Sequence, residues 1–216
     1  MLLIFLGLQI TLPLILIAWI VFKPTQSLLG FWIQIFATAS LLLMSAFGGI
    51  WLFPPWWMSY VYGFLLIAAT YLGLKRRRPF QHLLPNGKGG WIIVAVFVLI
   101  SSYSINETIQ ITNGWNPPDV ELIELQFPLE KGSYFVANGG NNIRINAHMK
   151  TMDKSIPRYL KWRGNAFGID IVRLNKFGFR ANGIRPTDPN DYYIFGAKVF
   201  APCAGVVIAS SSDLPD

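Results

Sequence analysis

The sequence predicts a membrane-embedded α-helical region of about four helices, followed by a mostly-β domain on the extracytoplasmic side. Three observations predict it. Four long apolar stretches precede residue 111, charge density changes abruptly near Glu107, and β-forming runs punctuated by Gly and Pro fill the remainder.

The charge pattern divides the chain. Hydrophobic residues make up 53% of the 216 residues and charged ones only 13%, about half the charged share of a soluble domain. Met1 to Asn106 holds six Lys/Arg and no Asp/Glu, whereas Glu107 to Asp216 holds twelve and eleven. The division is therefore 1–111 for the helices, 112–123 for a linker around "TNGWNPPD", and 124–216 for the polar domain. The net charge of +7 belongs mostly to the apolar half. No Lys/Arg cluster lies in the polar half, which argues against a nucleic-acid partner.

The predicted spans are about 2–22, 28–53, 58–74 and 91–110. A helix needs about 20 apolar residues to cross a bilayer. The first two clear that length, the third is somewhat short, and the fourth reaches it only by running past Ser101. The first is no cleaved signal, because it has no basic flank and more spans follow. Lys23-Pro24 ends the first span, Pro54-Pro55-Trp56-Trp57 the second and Lys75-Arg76-Arg77-Arg78 the third. Indoles favour the headgroup region, and basic loops stay in the cytoplasm. The loop 75–90 carries five of the six cations and is thereby cytoplasmic. The N-terminus and the C-terminal domain then lie outside. The basic run reads first as a topology signal, with lipid binding as its second use. The apolar core Trp91–Ile105 of the last span carries no charge, and neither do the cores of the others. No ion or proton path is suggested. His82 reads as a solvated loop residue, and oligomeric state is left open by scattered Gly and Ser.

In the polar half, Val120–Leu129, Gly132–Asn138, Ala166–Leu174, Lys198–Pro202 and Gly205–Ser210 carry β-formers between turn residues. Met149–Gly164 and Lys176–Tyr192 read as long connections. The last residues predict a hairpin of Val199–Ala201 with Val206–Ala209 through Pro202–Gly205. Such a hairpin would leave an open sheet edge, so the domain is expected to continue beyond Asp216.

Few residues here could do chemistry. Cys203, the single cysteine, sits among small apolar neighbours and reads as a buried small residue. His148 stands in "NAHMK" and Asp170 in "GIDIV". A carboxylate inside an apolar strand is costly unless paired or ligated. By spacing alone, a hydrogen-bonded Asp and a surface His compete with a metal-binding pair.

The ordered run "VANGG…N-x-H…GIDIVRLN…G-x-R…Y-x-IFG…VFAPCAG…LPD" resembles metallopeptidase family 23, the lysostaphin/LytM-type zinc peptidases. It is closest to a branch in which the domain follows several membrane helices. The resemblance covers about Glu124 to Asp216. It implies a barrel-sandwich domain, Zn²⁺ as cofactor, and hydrolysis of peptide bonds in bacterial peptidoglycan. In that family the metal is held by a first His, an Asp on a strand and the second His of a later His-x-His pair. The first His of the pair serves as general base or stabiliser. His148 and Asp170 match the first two ligands. Three ligands would leave one zinc position for a water of lowered pKa.

The sequence departs from the family at two points. Twenty-one residues separate His148 from Asp170, where H-x-x-x-D is commoner, and no His-x-His is present. The other histidine, His82, falls on the opposite side of the membrane. Nothing in the spacing of Cys203, Asp188 or Asp191 recommends any of them as a third ligand. The expectation is a bacterial cytoplasmic-membrane protein of this peptidase type whose 216-residue chain lacks hydrolase activity. The alternative is a non-catalytic protein whose peptidase-like domain binds wall peptide or a partner protein. A third reading is an unrelated four-helix protein with a sensing domain. Lipid bilayer is the partner common to all three.

Overall fold

Proline shapes the first helix. The computed structural model describes residues 6–23, 25–76, 80, 82–117, 121 and 124–208. In it α1 spans Leu12–Phe22 behind a π-helical turn, Gly7–Thr11. Pro13 has no N–H, and its ring crowds the carbonyl four residues earlier, so the regular ladder cannot pass through it. That carbonyl, on Gln9, instead accepts the Tyr62 hydroxyl at 2.6 Å. The Gln9 side chain is buried and donates through Nε2 to the carbonyl of Ile50 at 3.1 Å. A proline in α1 is thus satisfied by a tyrosine 53 positions away. Tyr62→Phe orphans the Gln9 carbonyl in an apolar core, which costs about 1 kcal/mol. The expected result is a fall of a few degrees in the unfolding midpoint in detergent.

The second helix, α2 (Leu28–Gly48), starts on Ser27, whose side chain accepts from the Gly30 N–H. It stops five residues short of the predicted 53. Gly49 leaves helical geometry, and the Trp51 indole folds back to donate to the Ala46 carbonyl at 3.0 Å. One orphan carbonyl of the helix end is thereby capped. Hydropathy cannot see that stop, because Ile50–Phe53 is as apolar as the helix.

Met58–Arg76 forms α3, and Gly87–Asn113 forms α4. The last is longer than predicted at both ends. Along its polar second half hydroxyls bond back to the preceding turn, Ser101 to Phe97, Thr108 to Ser104 and Thr112 to Thr108, at 2.7–3.0 Å, which satisfies them within the helix. It contains Glu107, which the predicted span 91–110 also included, so a charged residue does lie in this helix, beyond the apolar stretch Trp91–Ile105. Among the described residues α2, α3 and α4 are long and apolar enough to cross a bilayer. The described part of the first predicted span, Gly7–Phe22, is a shorter apolar helix. The bundle core joins Ile17 and Ile20 of α1, Phe31 and Leu42 of α2, Trp51, and Tyr62 and Ala69 of α3. α4 packs chiefly along α2.

The loops at residues 25–27 and 82–86 share one end of the bundle. The N–H groups of Leu28 and Leu29 donate to the carbonyls of His82 and Leu83. The polar half sits at the other end, where Trp115 meets Phe47 edge-on at 5.1 Å between ring centroids and Trp57 Nε1 donates to the Phe177 carbonyl at 2.8 Å. Gly178 lies against the indoles of Trp56 and Trp57 with φ +81°, where a Cβ would come within 3.1 Å of Trp56 Nε1. Both the backbone region and the space therefore require glycine.

The polar half contains one two-stranded antiparallel sheet among the described residues, β1 (Ser133–Asn138) with β2 (Asp170–Leu174). Four of the five predicted β runs differ, and the described residues of Val120–Leu129 form no strand but a single bridge at Leu129. Ala166–Gly168 is a turn after a 3₁₀ segment, not the start of a strand. The predicted pairing of Val199–Ala201 with residues 206–209 is not formed among the described residues. Instead Val199 bridges Leu129, Phe200 N donates to Pro128 O at 2.7 Å, and Gln126 N to Pro202 O at 2.9 Å. Pro128 and Pro202 have no N–H to give, so this pairing cannot extend into a ladder. Val206 to Ile208 form no strand and are almost fully exposed. Residues 209–216 and 118–120, which held parts of the predicted runs, lie outside the described residues. The two predicted connections contain short 3₁₀ segments at Ala147–Met152, Pro157–Asn165 and Pro189–Asp191.

Candidate functional site

A bulge in the sheet builds the site. β1 and β2 pair regularly from Ser133 with Leu174 to Val136 with Ile171, and then Asn138 rather than Ala137 faces Asp170. The extra residue rotates the end of β1. Asn138 is thereby placed to donate through Nδ2 to Asp170 Oδ2 at 3.2 Å. Its Oδ1 accepts the Ala147 N–H at 2.7 Å. One amide thus ties the carboxylate to the backbone next to His148.

The histidine is delivered by a second asparagine. Asn146 is 1% exposed. Its Oδ1 accepts the His148 N–H at 3.1 Å and its Nδ2 donates to the Gly140 carbonyl at 3.1 Å. It caps the 3₁₀ segment that begins at Ala147. The outcome is His148 Nε2 at 3.0 Å from Asp170 Oδ1, across 22 positions of sequence. The two residues expected to act together are in contact. Asp170 is not buried in an apolar strand as expected: it opens β2, and its side chain is 55% exposed. Its carboxylate needs no ligand for desolvation reasons, because it has water, Asn138 and His148.

The site is anchored to the helices. Arg144 grips Glu107 of α4 with two bonds, Nε to Oε2 at 2.8 Å and Nη2 to Oε1 at 3.0 Å. Asn142 Nδ2 donates to the Gln110 carbonyl at 2.6 Å, and the Asn141 N–H to the Gly114 carbonyl at 2.7 Å. The segment 141–146 therefore links the end of α4 to the residue that holds His148. Just after the site, the Ser155 hydroxyl and then its N–H hold the Asp153 carboxyl below its ordinary pKa. That turn is favoured above the ordinary carboxylate pKa and loses this support as pH falls through the lowered one.

His148 and Asp170 suit Zn²⁺ in kind and in spacing. Ligand bonds of about 2.0–2.2 Å place neighbouring donors of a tetrahedral site roughly 3.3 Å apart, so opening the 3.0 Å contact slightly would admit a metal. In number they fall short. Among the described residues no third His, Cys, Asp or Glu joins them. Asp188 is spent on capping its own turn, accepting from Asn190 N and Nδ2, both at 2.9 Å. Asp191 lies in that same turn, and Cys203 is exposed rather than buried as expected. Two donors do not make a zinc site by themselves. Neither of the asparagines that assemble the pair was singled out from sequence; "N-x-H" and the Asn at the end of "VAN" were the available signals.

The fold and the site define a class only coarsely: a membrane helical region carrying a small β-containing domain with a preassembled His–Asp pair. No family model, no curated protein and no solved structure matches the chain.

Proposed function

We propose that the chain is a membrane-anchored protein of the lysostaphin/LytM peptidase type, with its polar domain outside the bacterial cytoplasmic membrane. His148 and Asp170 form two ligand positions of a metal centre for which no third ligand stands among the described residues. The observation that carries the reading is the 3.0 Å contact between the two residues that the motif resemblance pairs. The bulge at Ala137, the Asn138 amide that bonds Asp170 and the Asn146 cap support it, since metal ligands are ordinarily held by a hydrogen-bonded outer layer. The placement of the polar domain and the cationic loop at opposite ends of the bundle supports the sidedness.

In this reading the chain binds zinc weakly and leaves peptidoglycan uncut. His148 supplies a neutral imidazole nitrogen, Asp170 a carboxylate oxygen, and Asn138 orients that carboxylate. Zinc titration of the purified chain, followed by calorimetry, is expected to show binding no tighter than the micromolar range. His148→Ala is expected to abolish it. Stoichiometric tight binding together with release of peptide fragments from purified cell wall would refute the claim of inactivity. Binding that survives His148→Ala would refute the metal assignment itself.

A further inference from the structure

We propose that the cationic end of the helix bundle holds one anionic glycerophospholipid in a built cavity. The cavity measures about 540 Å³ and lies between α1, α2 and α4, within the size range of small-ligand sites. Its two sides differ in chemistry. One carries Lys23, Thr25 and Asn86, and the other Trp19, Ile93 and Phe97. Trp19 and Phe97 meet at 5.7 Å between ring centroids to form the apolar wall. Trp19 and Ile93 are each over two-fifths exposed on the outer face of the bundle, so the apolar side opens towards lipid.

The polar side calls for an anion. No Asp or Glu precedes Glu107 in the sequence, so the cations of this end have no carboxylate of their own half to pair with. The N-terminus of α2 is already satisfied, by the carbonyls of His82 and Leu83 and by Ser27 Oγ. The start of α4 is different. Asn86 makes no side-chain cap there, and the first turn carries Lys88 and no acidic residue. Unpaired N–H groups and a positive helix end beside a lysine favour a bound anion. A second observation comes from the wall. Thr25, which lines the cavity, has an Oγ1 with no partner, and its N–H is held at 3.2 Å by Oε1 of Gln34 behind the wall. The phosphodiester sits between Lys23 and the start of α4, with acyl chains leaving past Trp19 and Ile93. A basic pocket between helices is a known form of lipid-headgroup site.

The test uses the full chain, delipidated in a neutral detergent. Its thermal midpoint is read against added phosphatidylglycerol, phosphatidylcholine or inorganic phosphate, and bound lipid is counted by native mass spectrometry. Phosphatidylglycerol is expected to raise the midpoint by several degrees with one lipid retained, and the other two to shift it by less than a third as much. Lys23→Gln and Thr25→Val are each expected to at least halve that shift. Ile93→Trp, which fills the apolar side without touching the cations, is expected to do the same. Equal shifts with phosphatidylcholine would overturn the anion requirement, and equal shifts with inorganic phosphate would overturn the lipid. An unchanged phosphatidylglycerol shift in the folded variants would overturn the location.

Discussion

Asn146→Ala is expected to separate His148 from Asp170 while leaving the helices intact. Asn146 is buried and makes four bonds: Oδ1 from the His148 N–H, Nδ2 to Gly140 O, its own N–H to Asn142 O at 2.9 Å, and its carbonyl from the Met149 N–H at 3.1 Å. Alanine removes the first two. Each group left buried without a partner costs about 1–3 kcal/mol. Partial solvation of both bonds puts the sum near the lower end. Local stability in a segment of this kind is itself only a few kcal/mol. Hydrogen exchange at residues 140–152 should therefore quicken at least tenfold, with exchange in α2 and α4 unchanged. The imidazole resonances of His148 should lose their dependence on Asp170, so that adding Asp170→Asn to Asn146→Ala moves them no further. Unchanged exchange in 140–152 would show that the loop is held by Arg144 and Asn142 alone. Asn146→Asp is the informative partner. It keeps the acceptor for the His148 N–H and loses the donor to Gly140, so it should fall between alanine and the natural residue.

The same residues show how far the sequence could be read. Helix positions were legible because apolar length is a strong signal, but helix ends were not. The stop at Gly48 is capped by the Trp51 indole reaching the Ala46 carbonyl, and the run to Asn113 carries hydroxyls that bond back within the helix. Both are contacts of polar atoms, invisible to hydropathy. β1 and β2 were legible from their β-formers, although the run predicted for β2 began four residues early, at Ala166. The predicted run Lys198–Pro202 forms only a single bridge, at Val199, and its partner was misassigned. Neighbours in sequence suggested a hairpin, whereas the chain pairs it with residues 126–129. His148 and Asp170 were nominated by motif, and their contact was an expectation of it. The asparagines that create the contact could not be read, because a bulge register is decided by pairing between strands and not by any local pattern.

The helices also do more than hold the domain at a surface. Glu107 and the carbonyls of Gln110 and Gly114 fix segment 141–146, and Asn146 in that segment fixes His148. A rotation of α4 against α2 would be felt at the His–Asp pair through three hydrogen-bonded links. The exposed Arg144–Glu107 pair contributes little stability of its own. Its two-bond geometry sets an orientation instead.

Gly73→Val is expected to be among the most damaging changes in the bundle, and its damage should depend on Phe31. A Cβ at Gly73 would lie 2.9 Å from both Phe31 Cε2 and Cζ, and 3.3 Å from the Ile20 carbonyl. The ring cannot swing away. Phe31 is fully buried, with Phe80 at 5.4 Å and Trp32 at 6.0 Å between ring centroids. Overpacking of this kind costs about 1–3 kcal/mol. Small residues at helix contacts in membranes serve this close approach. Phe31→Ala alone should cost about 3–5 kcal/mol, because it leaves a cavity in the core that joins α1, α2 and α3. Combining the two lets valine enter the space the ring vacates. The double variant should then be more stable than the sum of the single losses predicts, by about 1 kcal/mol or more. The measurement is unfolding of all four proteins in one detergent, followed by tryptophan fluorescence or by the rate of cysteine labelling at buried test positions. Strict additivity would mean that Gly73 and Phe31 do not touch in the folded bundle, and the packing of α2 against α3 would have to be redrawn.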